Sequence, residues 1–247
     1  MPFCENPYCI VGLPCRILSR TWNCDPFLNK VAQQAVVEKG SMAQLIQHSD
    51  LFRNRYRRHV QSMEDNPVYK ARLKSLSAAK HRFDSLQKPF GRSCLTFEAI
   101  LAVAQELHEE RRTEAAGKHA KEYLKLMMDE EAVICLGMMS DAGDEAITFI
   151  RYLDKEDFDK KGLAAECSSF LARITALFDH KACLVTGYTA HMIECLQKQH
   201  LLFIDRKPHA LGGKSRGPNI RKLWCAWQAK VKQVATIACN LLLKYCI

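Results

Sequence analysis

Two groups of thiols and imidazoles are the first residues in this 247-residue chain that could do chemistry. Cys4, Cys9, Cys15 and Cys24 stand near the N-terminus. Structural zinc favours thiolates separated by about two to four residues, so that one tight turn presents both. Only Cys4 and Cys9 come near that spacing. The second group is His180, Cys183, His191, Cys195 and His200. His191 and Cys195 are four apart and would share one helix face, as ligands could. Two ligands are an incomplete site, and small thiols also fit a helix core. Neither group is assigned a metal, and no cofactor is expected.

Carboxylates are dense in "DEEA" and "SDAGDEA". Asp141 and Glu145 lie four apart and could share a site, but acids near helix starts also stabilise the helix dipole. The paired Glu-x-x-His motifs of a di-iron bundle do not occur. A Ser or Cys nucleophile needs a base in reach. Twelve Cys and nine His supply many possible pairs, so the existence of pairs selects none of them. There is no G-x-S-x-G elbow. "LGGKSRG" contains Lys-Ser after glycines but lacks the first Gly of a phosphate loop and follows no strand signal. No catalytic residue is assigned, and the chain is expected to be non-enzymatic.

Binding chemistry is better represented. "RNRYRRH" places Arg53, Arg55, Tyr56, Arg57 and Arg58 within two helical turns. Arginines there can pair with phosphates, and a tyrosine can stack on a base. Lys214, Arg216, Arg221 and Lys222 extend the basic candidates. Near the C-terminus Trp224, Trp227 and Val231 line an apolar stripe that could enter a partner groove, meet an anionic membrane surface, or dock on the chain's own body. The candidate partners are DNA and a protein.

Charge supports this division. Residues 1–205 hold 27 Lys/Arg and 27 Asp/Glu, whereas residues 206–247 hold nine Lys/Arg and no acid. The net charge of +9 therefore resides in the C-terminal segment. Residues 48–95 carry 11 basic and four acidic side chains, and residues 98–166 carry nine and 17. Such polarity predicts a basic and an acidic face, free to contact partners or each other. The N-terminal "MPFCENPYCIVGLPC" has an acid, two prolines and no positive n-region, so it makes a poor signal peptide. No apolar run reaches the roughly 20 residues of a membrane span. Reduced thiols and an intracellular location, nuclear or cytoplasmic, are the expectation.

The elements that must position these residues are helices almost throughout. Ser49 can cap a helix with Leu51, Phe52, Tyr56, Val60 and Met63 inward. Asn66-Pro67 starts another, with Tyr69, Leu73, Leu76, Phe83 and Leu86 in register, and Pro89 and Gly91 end that block. Thr96 opens the next, with Phe97, Ile100, Leu101, Ala104 and Leu107 on one side. "HEERRTEAAGKHAKEY" suits an exposed helix surface. Asp129 starts a helix that Gly143 could break. Asp157 or Asp159 caps a stripe of Leu163, Cys167, Phe170, Leu171, Ile174 and Phe178. A helix follows over about Lys181 to Leu202. Strand alternation and Asn-Gly or Asp-Gly hairpin signals are missing.

The expected fold is all-α, an irregular array of about seven or eight helices with a C-terminal amphipathic helix. It divides into an irregular Cys-containing segment (1–25), an all-α body (26–205), a basic linker (206–218) and a basic amphipathic helix (219–247). In the last helix Ile220, Leu223, Trp224, Trp227, Val231, Val234, Ala238, Leu241 and Tyr245 form the apolar stripe.

"SRTWN" (Ser19–Asn23), followed by this long helical region, resembles the Thr-Arg-Trp-Asn segment of hAT-superfamily transposases and their domesticated relatives, with Arg20-Thr21-Trp22 in place of Thr-Arg-Trp. "MMSDAGDEAITFIRYLDKEDFDKKGLAAECSSFLARITALF" (Met138–Phe178) is similar to the family's pattern of a long helix, a charged turn and a helix closing in a hydrophobic run. The resemblance covers about residues 18–200. It implies an all-α insertion of the kind that interrupts an RNase H-like catalytic fold, entered at Arg20 and Trp22. The family's three metal-binding carboxylates lie outside that insertion, so none maps onto a residue here. The implied role is binding of nucleic acid or protein without catalysis. The alternative is a helical adaptor with no nucleic-acid role, acting through its C-terminal helix.

Overall fold

The computed structural model describes residues 26–37, 39–63, 87–153, 161–214 and 219–246, with some side chains of the last helix left out. The segment 1–25, including Arg20, Trp22 and the four N-terminal cysteines, lies outside the described residues. So do the Asn66-Pro67 helix, the Asp157 and Asp159 caps, and Arg216.

The chain is all-α, with one small two-stranded sheet. Helix α1 (Pro26–Ala32) starts on a proline, whose fixed φ suits a first turn. A π-helical turn (Gln33–Val37) leads to α2 (Met42–His48) and α3 (Asp50–Ser62). Ser41 caps α2, its hydroxyl accepting from Gln44 N–H at 3.3 Å. In α3 Phe52 and Tyr56 face inward, but Leu51 does not: it is exposed.

Helix α4 (Gln87–Leu95) contains Pro89 and Gly91, the residues expected to end a helical block. Pro89 sits in the first turn, where its missing N–H costs nothing, so it opens the helix instead. Thr96 then separates α4 from α5 (Phe97–Glu110). All five expected inward residues of α5 are buried. The charged stretch that followed is not one helix: Arg111–Glu114 turn the chain into α6 (Ala115–Met127).

Asp129 caps α7 (Glu130–Leu153), accepting from Glu131 N–H at 3.1 Å. Residues 131–143 are all buried, so α7 is the central helix of the body. Gly143 does not break it. Tertiary packing on every side outweighs the roughly 1 kcal/mol propensity cost of one glycine. Around α7 pack α1, α4, α8 (Leu163–Phe178) and α9 (Tyr188–Gln197). Phe149 of α7 stacks on Phe170 of α8 with ring centroids 4.6 Å apart. Gly137 lets α9 approach closely: a Cβ there would lie 2.7 Å from Thr189 Cα.

The single helix expected over 181–202 is divided. A 3-10 turn (Ala182–Leu184) precedes Gly187, whose φ of 114° suits glycine, and only then does α9 begin. Asp141 caps α9 from the middle of α7. Its carboxylate accepts from Tyr188 N–H at 2.8 Å, Thr189 N–H at 2.9 Å and Thr189 Oγ1 at 2.6 Å. Glu145, its expected companion, instead pairs with Arg173 at 2.7 Å.

The expected basic linker is in part a hairpin. Strand β1 (Leu201–Ile204) pairs antiparallel with β2 (Lys207–Ala210). Asp205 and Arg206 both have positive φ, 50° and 64°, as a tight two-residue hairpin turn requires. Gly213 then bridges Asp129, and Lys214 N–H donates to Met128 C=O at 2.8 Å. The last helix, α10 (Asn219–Cys246), packs along α8. No described helix is long and apolar enough to cross a membrane.

Candidate nucleic-acid interface

The arginine-rich helix α3 faces three ways. Phe52 and Tyr56 point into the core, four residues apart. Tyr56 Oη lies 2.8 Å from Thr96 Oγ1, and burial pushes its phenol up. Tyr56 therefore cannot stack on a base, contrary to the sequence-based expectation. The apolar requirement at one turn's spacing claims it for the core.

Arg55 and His59 occupy the flank toward α5. Arg55 pairs with Glu110 at 2.7 Å and with Glu106 at 3.4 Å, and its side chain is only 14% exposed. His59 Nε2 donates to Glu106 at 2.6 Å. The hydrogen bond to Glu110, outweighing burial, holds the Arg55 guanidinium above its ordinary value. Arg55 is thus withdrawn from phosphate contact. Here the basic and acidic segments contact each other. Arg53 is also engaged, with Asp50 at 3.0 Å and with the Gln47 carbonyl.

The third face is solvent. Arg57 and Arg58 are exposed beside Asn54 and Gln61 and make no ion pair with a described residue. Of the four arginines, these two have no acidic partner among the described residues.

A second basic surface surrounds the hairpin, on the other flank of α5. Leu202 and Ile204 are buried, so the two-residue period turns Leu201 and Phe203 outward, 55% and 51% exposed. Cross-strand pairing sets Leu201 opposite Ala210 and Phe203 opposite Pro208, both partners exposed. Arg206 and Lys214 are exposed near this apolar patch, Lys207 is exposed on the other face of the hairpin opposite Ile204, and none pairs with a described acid.

Two carboxylates beside the hairpin, Glu98 and Asp205, are paired with cations. Glu98 meets Lys198 at 2.7 Å and His200 at 3.0 Å. Asp205 meets Lys121 at 2.5 Å, and its N–H donates to His108 Nε2 at 3.2 Å. Gln105 Oε1 accepts from Phe203 N–H at 2.8 Å and ties β1 to α5. No alternation of polar and apolar residues in "LLFIDRK" marks this surface in the sequence.

The C-terminal candidates divide differently. Trp227 is 1% exposed, and Val231 is fully buried, with Ala235, Cys239 and Leu242 continuing the stripe. Asp179 receives both Gln228 and Lys232 at the end of α8. The expected partner-binding residues Trp227 and Val231 are therefore core residues, because a second helix of this chain already fills the role of partner. The side chains of Trp224, Arg221 and Lys222 lie outside the described set.

Of the histidine–cysteine group, His191, Cys195 and His200 lie around Glu98. Cys195 Sγ is 3.7 Å from His191 Nε2 and 3.9 Å from Glu98 Oε1, but it is fully buried. Burial pushes its thiol up to about 12, and burial lowers the His191 imidazole. A thiol so far from ionisation is a poor nucleophile. Cys183 is likewise raised to about 12 by burial beside Asp141. Among the described residues no three His, Cys, Asp or Glu side chains are grouped to hold a metal ion.

Comparison with family models, curated proteins and solved structures finds no match.

Proposed function

We propose that this chain is a non-catalytic helical protein that binds nucleic acid through phosphate contacts. One observation carries this reading. The fold pairs Arg55, Lys121 and Lys198 around α5 with carboxylates, yet leaves Arg57 and Arg58 on α3, and Arg206, Lys207 and Lys214 around the hairpin, exposed and without an acidic partner among the described residues. Unpaired arginines and lysines on two elements flanking one helix suit a polyanion, whose regularly spaced phosphates release counterions on contact. The resemblance to a transposase insertion belongs to the same proposal: an all-helical body without strand-transfer carboxylates would serve binding alone.

The adaptor alternative loses its main support, since Trp227 and Val231 are spent inside the body. Titration of a labelled DNA duplex against salt tests the proposal. Affinity should fall steeply as salt rises, and Arg57→Ala with Arg58→Ala should weaken binding evenly across sequences, lowering the salt slope by about one per lost contact. A salt-independent affinity, or no binding at low salt, refutes it.

A further inference from the structure

The outward face of the hairpin asks for a flat, apolar ligand next to negative charge. We infer that it is a platform for single-stranded nucleic acid, with an unpaired base stacked on Phe203 and the adjoining phosphate held by Arg206 in the turn. This rests on the nucleic-acid reading above and names the kind of strand this surface takes.

Three features of the hairpin argue for it. First, Leu201, Phe203, Pro208 and Ala210 form one continuous patch through cross-strand pairing, while the opposite face is already buried. Cross-strand packing on Pro208 stabilises the hairpin, but Phe203 remains half exposed. Second, a cation adjoins the patch. Asp205 is taken by Lys121, and Arg206 directly follows it in the turn, exposed and without a described acidic partner. Aromatic rings interleaved with cations are the recurring means of holding single strands, because every base has a π-face.

Third, the hairpin is a platform and not a prong. Its inner face rests on the body, and Gln105 ties down the outer edge of β1. A half-exposed ring held on a fixed ribbon offers a flat face on which an unpaired base can stack. Addition of a peptide strand is disfavoured. Phe203 N–H points outward to Gln105, so the facing Pro208 nitrogen also points outward and denies the open edge of β2 a donor.

The test is fluorescence anisotropy of the full chain with labelled oligo-dT and with a duplex of equal length. Wild type should prefer oligo-dT. Phe203→Ala should weaken oligo-dT binding about tenfold and leave duplex binding unchanged. Arg206→Ala should weaken both. Phe203→Leu keeps the apolar bulk without the ring and should behave as Phe203→Ala, while Phe203→Trp restores affinity. This pair separates stacking from a merely structural role.

If Phe203→Ala and Phe203→Leu leave oligo-dT binding intact while Arg206→Ala reduces it, the stacking inference fails and the phosphate reading survives. If wild type binds neither oligonucleotide, both fail. Loss of binding to an acidic peptide or to phosphatidylserine vesicles in the Phe203 variants, with oligo-dT unaffected, would assign the patch to that partner and overturn the inference.

Discussion

Arg55 of α3 reaches Glu110 of α5 at 2.7 Å, and this contact removes an apparent nucleic-acid residue from the surface. Arg57 and Arg58, two and three positions later, stay exposed. The helix therefore makes a sharp internal contrast. Arg55→Ala should lower Tm by a few degrees, because Glu106 and Glu110 lose their bridging cation, and should leave oligonucleotide affinity unchanged. Arg57→Ala and Arg58→Ala should do the reverse. Paired thermal melts and anisotropy titrations check both halves; equal effects of all three on binding would show that the ion pair opens in the complex.

Trp227 seats α10 against α8, and its indole N–H has no partner among the described residues. Trp227→Ala should cost about 3–5 kcal/mol, the range for removing a buried large aromatic. Trp227→Phe should cost much less, since it keeps an aromatic filler and removes an unsatisfied donor. Denaturant unfolding of both variants measures the difference. A Trp227→Ala protein as stable as wild type would mean that α10 is not integral to the body.

How far the sequence reveals this molecule depends on which interactions are local. Helical stripes are local: Leu163, Cys167, Phe170, Ile174 and Phe178 recur at spacings of three and four, and all are buried in α8. The starts at Pro26, Thr96 and Asp129 announce themselves through proline, threonine and aspartate. The hairpin has no such marker. Its left-handed turn uses Asp205-Arg206, not a glycine pair, and is held by Lys121 from a helix more than eighty residues earlier. Asp141 likewise resembles a local cap but closes a helix 47 residues away. At the candidate interface, composition indicates that arginines are abundant near residue 55. Only tertiary pairing separates Arg55, bound to Glu110, from Arg57 and Arg58.

Cys94, Cys183, Cys195 and Cys239 are buried, and burial pushes each thiol well above its ordinary value, in three of them to about 12. The thiolate is the reactive form. Cys225 is exposed on α10. Brief treatment of folded protein with iodoacetamide, followed by peptide mass spectrometry, should label Cys225 far faster than those four. Rapid labelling of Cys195 would reveal an open path to the His191 side of α9 and would revive a nucleophilic role for it.

The hairpin should loosen in acid before the body unfolds. Two carboxylates anchor it, Glu98 at its start and Asp205 at its turn. Burial raises the Glu98 carboxyl, but its bonds from Lys198 and His200 outweigh this and hold it below its ordinary value. The hydrogen bond from Lys121 does the same for Asp205. A carboxylate whose folded pKa is depressed stabilises the fold above its unfolded pKa, about 3.9–4.3 for these residues, and that contribution is lost as pH falls through the folded value. Amide exchange at Leu202 and Ile204 should therefore accelerate, after correction for intrinsic rates, as pH is lowered from about 5 through the ordinary carboxylate range. Glu98→Gln with Asp205→Asn should show fast exchange already at neutral pH and little further change in acid. Core amides of α7 should stay protected over the same interval. If α7 and β1 lose protection together, the hairpin is not an independently anchored unit, and the platform it presents would open only with the whole fold.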